Sequence, residues 1–299
     1  MDSTTVALPP WLEAFMSPRA DRSAELVRVL SAGGVKCRLM EIAGGRFVVA
    51  WPRGGVNDPL YRVKVVTAHH DRVPGTPGAL DNSAACVQLV EFLSTDRGAF
   101  NTLVVFTDRE ELGSWNPMAP LRSATAPSEQ GSYELGKAFA GMGLRAPMVF
   151  PLDVTGRGDA LILSRASEGL ARHGGRNGGL DAIIAQTDSM AVAVARMMAG
   201  RAPVYRARVP FGEDLGFMLA GVPALTVTVL PRDEAMAIAG LGGLPAWASP
   251  MAPGLKTPGT WSHLHGPGDT TDLYTADAFE LVGRFLDRLA ALRVSTPAS

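Results

Sequence analysis

The sequence predicts an α/β fold: three layers, with a mixed, mostly parallel central sheet and helices on both faces. Runs rich in Val, Leu and Phe at Arg62–Ala68, Thr102–Phe106 and Met148–Leu152 read as strands buried on both sides. Helical patterns separate the strands, as at Asn82–Leu93, where apolar residues occupy 84, 86, 87, 89, 90 and 93. The strands in this alternating region end in acidic or imidazole clusters, and an α/β sheet collects functional groups at its strands' carboxyl ends.

Taken in order, Pro9-Pro10 opens the chain, and Asp21–Leu30 has helical spacing that stops at Gly33-Gly34. Cys37–Ile42 and Arg46–Trp51 flank Ala43-Gly44-Gly45 as an edge hairpin. Arg62–Ala68 delivers His69, the Asn82–Leu93 helix packs on the sheet, and Thr102–Phe106 follows. Leu112–Gln130, rich in Pro and Ser, is too long for a simple connection and reads as a rim or lid. Tyr133–Ala140 is a short helix, Met148–Leu152 and Leu161–Ser164 are strands, His173–Gly179 is a flexible turn, and Leu180–Ala199 is a long helix. Val204–Val209 and Ala224–Leu230 are strands around a short helix from Glu213 to Ala220. Gly240–Gly259 reads as an active-site loop, since the roughly 40 residues after it are too few for a second core. Thr275–Leu292 closes the chain as an amphipathic helix with Thr275 as N-cap. One domain over residues 1–299 is the expectation.

The 299 residues, 46% apolar and 19% charged, are enough for a full core. A net charge of −1, with the 28 Lys and Arg scattered, favours neither nucleic acid nor an anionic membrane. Met1–Leu8 lacks the pattern of a secretory leader and no apolar run approaches a bilayer span, so a cytoplasmic location is expected. Two cysteines, Cys37 and Cys86, exclude a disulfide framework.

His69 and Asp71, two apart on an extended segment, share a side, so the carboxylate is able to fix the imidazole tautomer; a solvated surface pair is the plainer alternative. Asp81-Asn82 follows a Pro- and Gly-rich loop at a helix start, where an Asp is also an ordinary N-cap. Glu110-Glu111 says more: adjacent carboxylates at a strand end repel unless a cation compensates, and such a pair can split into one base and one ligand. Asp153 ends an apolar strand, as a ligand or a turn cap. His265 and Asp269 read as ligand and orienting carboxylate, with His263 as competing donor. Carboxylates and imidazoles at one mouth point to metal-assisted hydrolysis.

In order, His69-His70-Asp71, Gly78-Ala79-Leu80-Asp81-Asn82, Glu110-Glu111-Leu112-Gly113-Ser114, Leu152-Asp153 and His265-Gly266-Pro267-Gly268-Asp269-Thr270 resemble the signature of the co-catalytic zinc aminopeptidases. That group includes bacterial leucyl aminopeptidases and, more distantly, glutamate carboxypeptidase, the transferrin receptor ectodomain and glutaminyl cyclase. The resemblance covers about residues 60–290 and implies the zinc-exopeptidase form of the α/β fold. It implies two Zn²⁺ per chain bridged by Asp81, His69 and Asp153 completing one ion, Glu111 and His265 the other, Glu110 as general base, and a non-prolyl cis bond between Asp81 and Asn82. Asp71 joins Glu110 among the catalytic candidates. The implied activity is removal of the N-terminal residue from peptides or amino-acid amides.

The chain also departs from the pattern. Where relatives commonly carry Ser-Asp-His and Gly-Ile-Pro, it has Gly212-Glu213-Asp214 and Gly221-Val222-Pro223. Leu264 stands where some relatives place an oxyanion-holding Tyr, with His263, Trp261 and Tyr205 as possible replacements. Glu213 and Asp214 are candidates for a substrate ammonium group or for a helix cap. Trp247, Met251 and Trp261 are candidates for a specificity pocket or for loop anchors. The rivals are a single-zinc glutaminyl-cyclase-like acyltransferase, which Asn82 in place of Ser argues against, a carboxypeptidase using Arg206 and Arg208, and a metal-free binding module.

Overall fold

A turn sets the first sheet edge. Ala43 (φ 49°) and Gly44 (φ 80°) both adopt left-handed backbone, the pair of angles that a two-residue hairpin needs. They join β1 (Lys36–Ile42) to β2 (Gly45–Trp51) in antiparallel register, Ile42 opposite Gly45. The computed structural model describes residues 6–111, 127–173, 178–209, 212–240 and 258–296.

Beyond the hairpin lie β3 (Lys64–His69), β4 (Thr102–Thr107) and β5 (Met148–Pro151), in the order β1-β2-β4-β3-β5, with β4, β3 and β5 mutually parallel. A second sheet orders β7 (Val204–Ala207), β6 (Ala160–Ser164) and β8 (Val227–Leu230). Parallel bridges Val149↔Ala224 and Leu152↔Val227 tie β5 to the β8 segment. The sheet is therefore mixed, with a parallel centre, antiparallel pairings in β1-β2-β4 and β6-β8, and a parallel β6-β7 pair at the far edge.

Side chains alternate across this sheet, as period-two geometry requires. Val48, Ala50, Val66, Ala68, Val104 and Phe106 face one apolar cluster, while Phe47, Val49, Val65, Leu103, Val105 and Val149 face the other. Over the first pack α1 (Trp11–Met16), α2 (Arg22–Ala32), α3 (Ala84–Ser94), α6 (Gly178–Met198), α8 (Arg232–Gly240) and α9 (Ala276–Ala291). Over the second lie α4 (Gly131–Ala138) and α7 (Asp214–Leu219), with α5 (Ala166–His173) at its margin. Each large apolar side chain buried this way contributes about 1.5–3 kcal/mol, so both helical layers are needed to cover the central strands.

The α/β expectation holds, with local corrections. Helices α1, α5 and α8 lie where none was predicted, and β7 and β8 are shorter than expected. Thr275 precedes α9 as predicted but does not cap it: its hydroxyl accepts the Gly158 N–H at 2.9 Å. Most of the expected lid and of the Gly240–Gly259 loop, with Trp247 and Met251, lies outside the described residues, as does the centre of the His173–Gly179 turn. No helix among the described residues is long and apolar enough to cross a membrane.

Candidate metal centre

Parallel strands end at one level, and the chemistry sits there. His69 closes β3 in register with Thr107 of β4, and Thr67 is in register with Pro151 of β5. Glu110-Glu111 leaves β4 and Asp153 leaves β5 on the same side of the sheet. Arg109 (φ 66°) precedes the glutamates, Val154 (φ 51°) follows Asp153, and His265 itself has φ 59°. Left-handed backbone in a β-branched residue is rare and persists where the surroundings impose it, as they do at functional sites.

Asp81 arrives differently. Rather than capping a helix, it lies in a wide turn, Ala79–Ser83, before α3, and its peptide bond to Asn82 is cis, as the resemblance implies. The Asn82 amide donates to the Leu152 carbonyl at 2.8 Å, and the Tyr274 hydroxyl donates to Ala79 O at 2.8 Å. Asp269 was expected to orient His265. Instead its carboxylate accepts the Leu80 N–H at 2.6 Å and the Asp81 N–H at 3.3 Å, because the turn's backbone donors are the unsatisfied groups facing it.

The two oxygens of Asp81 face different imidazoles. Oδ1 lies 3.0 Å from His69 Nε2, and Oδ2 lies 2.9 Å from His265 Nε2. Asp153 Oδ1 stands 3.6 Å from the same His69 nitrogen, and Glu111 Oε1 stands 3.5 Å from the same His265 nitrogen. Ligand atoms of His69, Asp81 and Glu111 all fall within 4.8 Å of one another. On the far side of its ring, His69 Nδ1 is 3.4 Å from Asp71 Oδ1, and Asp71 Oδ2 accepts the Glu111 N–H at 2.9 Å. The structure thus brings His69, Asp71, Asp81, Glu111, Asp153 and His265 together, with Glu110 adjoining.

Although buried and close, His69 Nε2, Asp153 Oδ1 and Glu111 Oε1 have no hydrogen-bond partner among the described residues. Atoms that converge without hydrogen-bond geometry, in a set of imidazoles and carboxylates, fit a divalent cation such as zinc. The electrostatics agree. Burial, and then the neighbouring Asp153, Glu111 and Asp81, lift Glu110 well above the ordinary carboxylate range despite the opposing His69. Glu111 is pushed to about 7 by burial and Asp81. Burial opposes it, yet the His265 and His69 imidazoles hold Asp81 well below the ordinary value. Likewise against burial, Asp81 and Glu111 raise His265 to about 10. Carboxylates crowded this closely call for compensating positive charge.

Other candidates fall outside the cluster except Glu213, which adjoins it: burial raises its carboxyl to about 7 against the pull of the His69 imidazole. His70 turns away, its Nε2 2.7 Å from the Arg46 carbonyl, and His263 has no contact comparable to those of His265 among the described residues. Asp214, a candidate for a substrate ammonium or for a helix cap, is buried and turned inward: it accepts the Thr226 N–H at 3.4 Å, and burial raises it to about 6. Glu213 is equally buried and accepts from the Thr67 hydroxyl at 2.9 Å. Trp261 is a core anchor at 2% exposure, not a pocket wall. Sequence reasoning missed Arg22, Asp269's true partners and Cys86, whose thiol donates to the His69 carbonyl at 3.5 Å. No local pattern marks such contacts between distant positions.

Fold and donor set together are those of an α/β metallopeptidase. Residues 48–289 match the model of peptidase family M28, and the chain belongs to that family. Among solved structures, the Legionella pneumophila LapA aminopeptidase aligns with a TM-score of 0.59 at 13% identity, covering 94% of this chain and 69% of that one. Porphyromonas gingivalis glutaminyl cyclase aligns with a TM-score of 0.58 at 17% identity, covering 94% of this chain and 95% of that one. Bacteroides thetaiotaomicron glutaminyl cyclase bound to N-acetylhistamine gives 0.58 at 15%, with 93% and 94% covered. At such identities the likeness is one of fold. No curated protein matches the chain by sequence.

Proposed function

We propose that the chain is a zinc-dependent aminopeptidase that holds two Zn²⁺ and hydrolyses the N-terminal residue of peptides or amino-acid amides. The observation that carries this is the split carboxylate of Asp81, with one oxygen toward His69 and the other toward His265. In this reading Asp81 is the shared ligand, His69 and Asp153 complete one ion, and Glu111 and His265 complete the other. Zinc held by such a set supplies Lewis acidity, polarising a carbonyl and acidifying water.

The chain's own groups do the rest. The Asp71 backbone carbonyl, 3.3 Å from His69 Nδ1, with the Asp71 carboxylate 3.4 Å away, keeps the proton on Nδ1, which leaves the Nε2 lone pair directed at the Asp81 and Asp153 side. By accepting the Glu111 N–H, the same carboxylate fixes the segment that carries both glutamates. Glu110, with its proton affinity raised by burial, takes the proton of the attacking water on its carboxylate and delivers it to the leaving amine nitrogen. Arg206, the candidate anchor for a carboxylate, is paired with Asp188 at 2.9 Å.

A second reading, glutaminyl-cyclase-like acyl transfer on a single zinc, draws support from the cyclases that match this chain over nearly their whole length. Asn82 after Asp81 weighs against it, as does the convergence of His69 Nε2 and Asp153 Oδ1 at 3.6 Å without a hydrogen bond. The test is hydrolysis of a panel of aminoacyl-nitroanilides, with an N-blocked panel alongside, with and without chelator, together with zinc stoichiometry. Cleavage of free-amine substrates only, lost on chelation, with two zinc per chain, is expected. One zinc with cyclisation of N-terminal glutaminyl peptides would select the second reading, and no reaction in either assay would remove both.

A further inference from the structure

The family match begins at residue 48, yet the chain before it reaches the metal centre. Arg22, the first residue of α2, is 6% exposed, and its guanidinium lies over the Phe15 ring, 4.2 Å from the centroid. Its Nε donates to the Phe15 carbonyl at 3.2 Å. Nη1 donates to the carbonyls of His70 at 2.8 Å and Asp71 at 3.3 Å, and Nη2 donates to the Ser83 hydroxyl. Ser83 passes the constraint on, since its hydroxyl donates to the Gly78 carbonyl at 2.6 Å. One rigid fork therefore touches the exit of β3, which carries His69 and Asp71, and the turn that carries Asp81.

We propose that Arg22 is a positioning residue for the metal centre, clamping the His69–Asp71 segment to the Ala79–Ser83 turn and so fixing His69 against Asp81. This inference rests on the metal reading above. A planar guanidinium holds its donors at fixed angles and can serve three acceptors on two loops at once; a lysine ammonium, a point charge on a flexible stem, cannot hold both loops in one geometry. The clamp stays cationic at neutral pH, because burial draws Arg22 down only to about 10. It also satisfies the buried His70 carbonyl, to which no other group donates among the described residues. α1 and α2 thus form a brace for the centre supplied by a segment outside the family match.

The test is zinc affinity of the full chain, measured by competition with a chromophoric chelator, beside the thermal midpoint of the metal-free protein. The variants are Arg22→Met, Arg22→Lys, Ser83→Ala and, as a packing control in the same helix, Leu26→Ala, whose side chain is wholly buried. Arg22→Met is expected to weaken zinc binding about 10- to 100-fold, the usual effect of removing a partner that orients metal ligands. Arg22→Lys and Ser83→Ala are expected to fold and to show smaller losses of the same kind, while Leu26→Ala lowers the midpoint but leaves zinc affinity within about threefold of wild type. If Arg22→Met fails to fold, Arg22→Lys and Ser83→Ala carry the test. Wild-type zinc affinity in those folded variants would overturn the proposal, as would losses that track the midpoint and recur in Leu26→Ala. A wild-type chain that binds no zinc would instead remove the metal reading itself, so the two failures are distinguishable.

Discussion

Asp269 and Leu80 stand 189 positions apart, and a carboxylate oxygen of Asp269 accepts the Leu80 N–H at 2.6 Å. The second oxygen accepts the Asp81 N–H at 3.3 Å. The turn that bears His265 and the turn that bears Asp81 are therefore one mechanical unit, and the spacing of the two imidazoles across Asp81 is set by backbone contacts as well as by the side chains themselves.

Replacing Asp269 with Ala leaves two buried N–H groups unpaired, each costing about 1–3 kcal/mol. Urea unfolding of the metal-free variant should show that loss. Asp269→Asn, which keeps one acceptor oxygen, should lose less. Equal stability of Asp269→Ala and wild type would mean that the turn is held by other contacts.

Substituting Glu110→Gln removes the proton acceptor while keeping shape. Turnover should fall by about 10²- to 10⁴-fold, with zinc stoichiometry unchanged by elemental analysis. Parallel loss of metal and rate would make Glu110 a ligand rather than the base.

Lys64 offers a pH test away from the site. Its ammonium is buried at the start of β3 and donates to the carbonyls of Ala290, at 3.1 Å, and Leu292 at the end of α9. Burial, reinforced by Arg293, lowers it from 10.5 to about 7. Between those values the unfolded chain holds a proton that the folded chain has released, so unfolding free energy should rise with pH across that window. Urea midpoints of the metal-free protein at rising pH should follow this slope, and Lys64→Met should flatten it.

Gly158 (φ 118°) sits in the loop after Asp153, and a Cβ there would lie 2.0 Å from the backbone carbon of Leu230. With both the clash and the backbone angle against it, Gly158→Ala should destabilise the fold by about 3 kcal/mol or more. Thermal unfolding at wild-type temperature would show the loop to be far more pliable than its packing implies.

Strands β3, β4 and β5 were legible because a strand buried on both faces must be written as an apolar run, and their carboxyl ends then named His69, Glu110, Glu111 and Asp153. Asp81 was ambiguous because a carboxylate before a helix looks the same whether it caps the helix or faces a cation. Helix α8 carried Asp233 and Glu234 in its first turn, a readable start signal, whereas α5 is only eight residues long and holds Gly169 within it. The partners of Arg22 and Asp269 were illegible for a different reason: nothing in a local pattern specifies which distant backbone groups a buried charge must satisfy.

The hairpin has a practical consequence. Position 48, where the shared family region starts, falls inside β2, whose outer neighbour β1 comes wholly before it. Excising residues ahead of that point would strip the sheet of its border strand and bare a row of main-chain donors and acceptors along Val48–Trp51, a template for stacking against other copies. Shortened versions should therefore be expected to clump before they can be assayed.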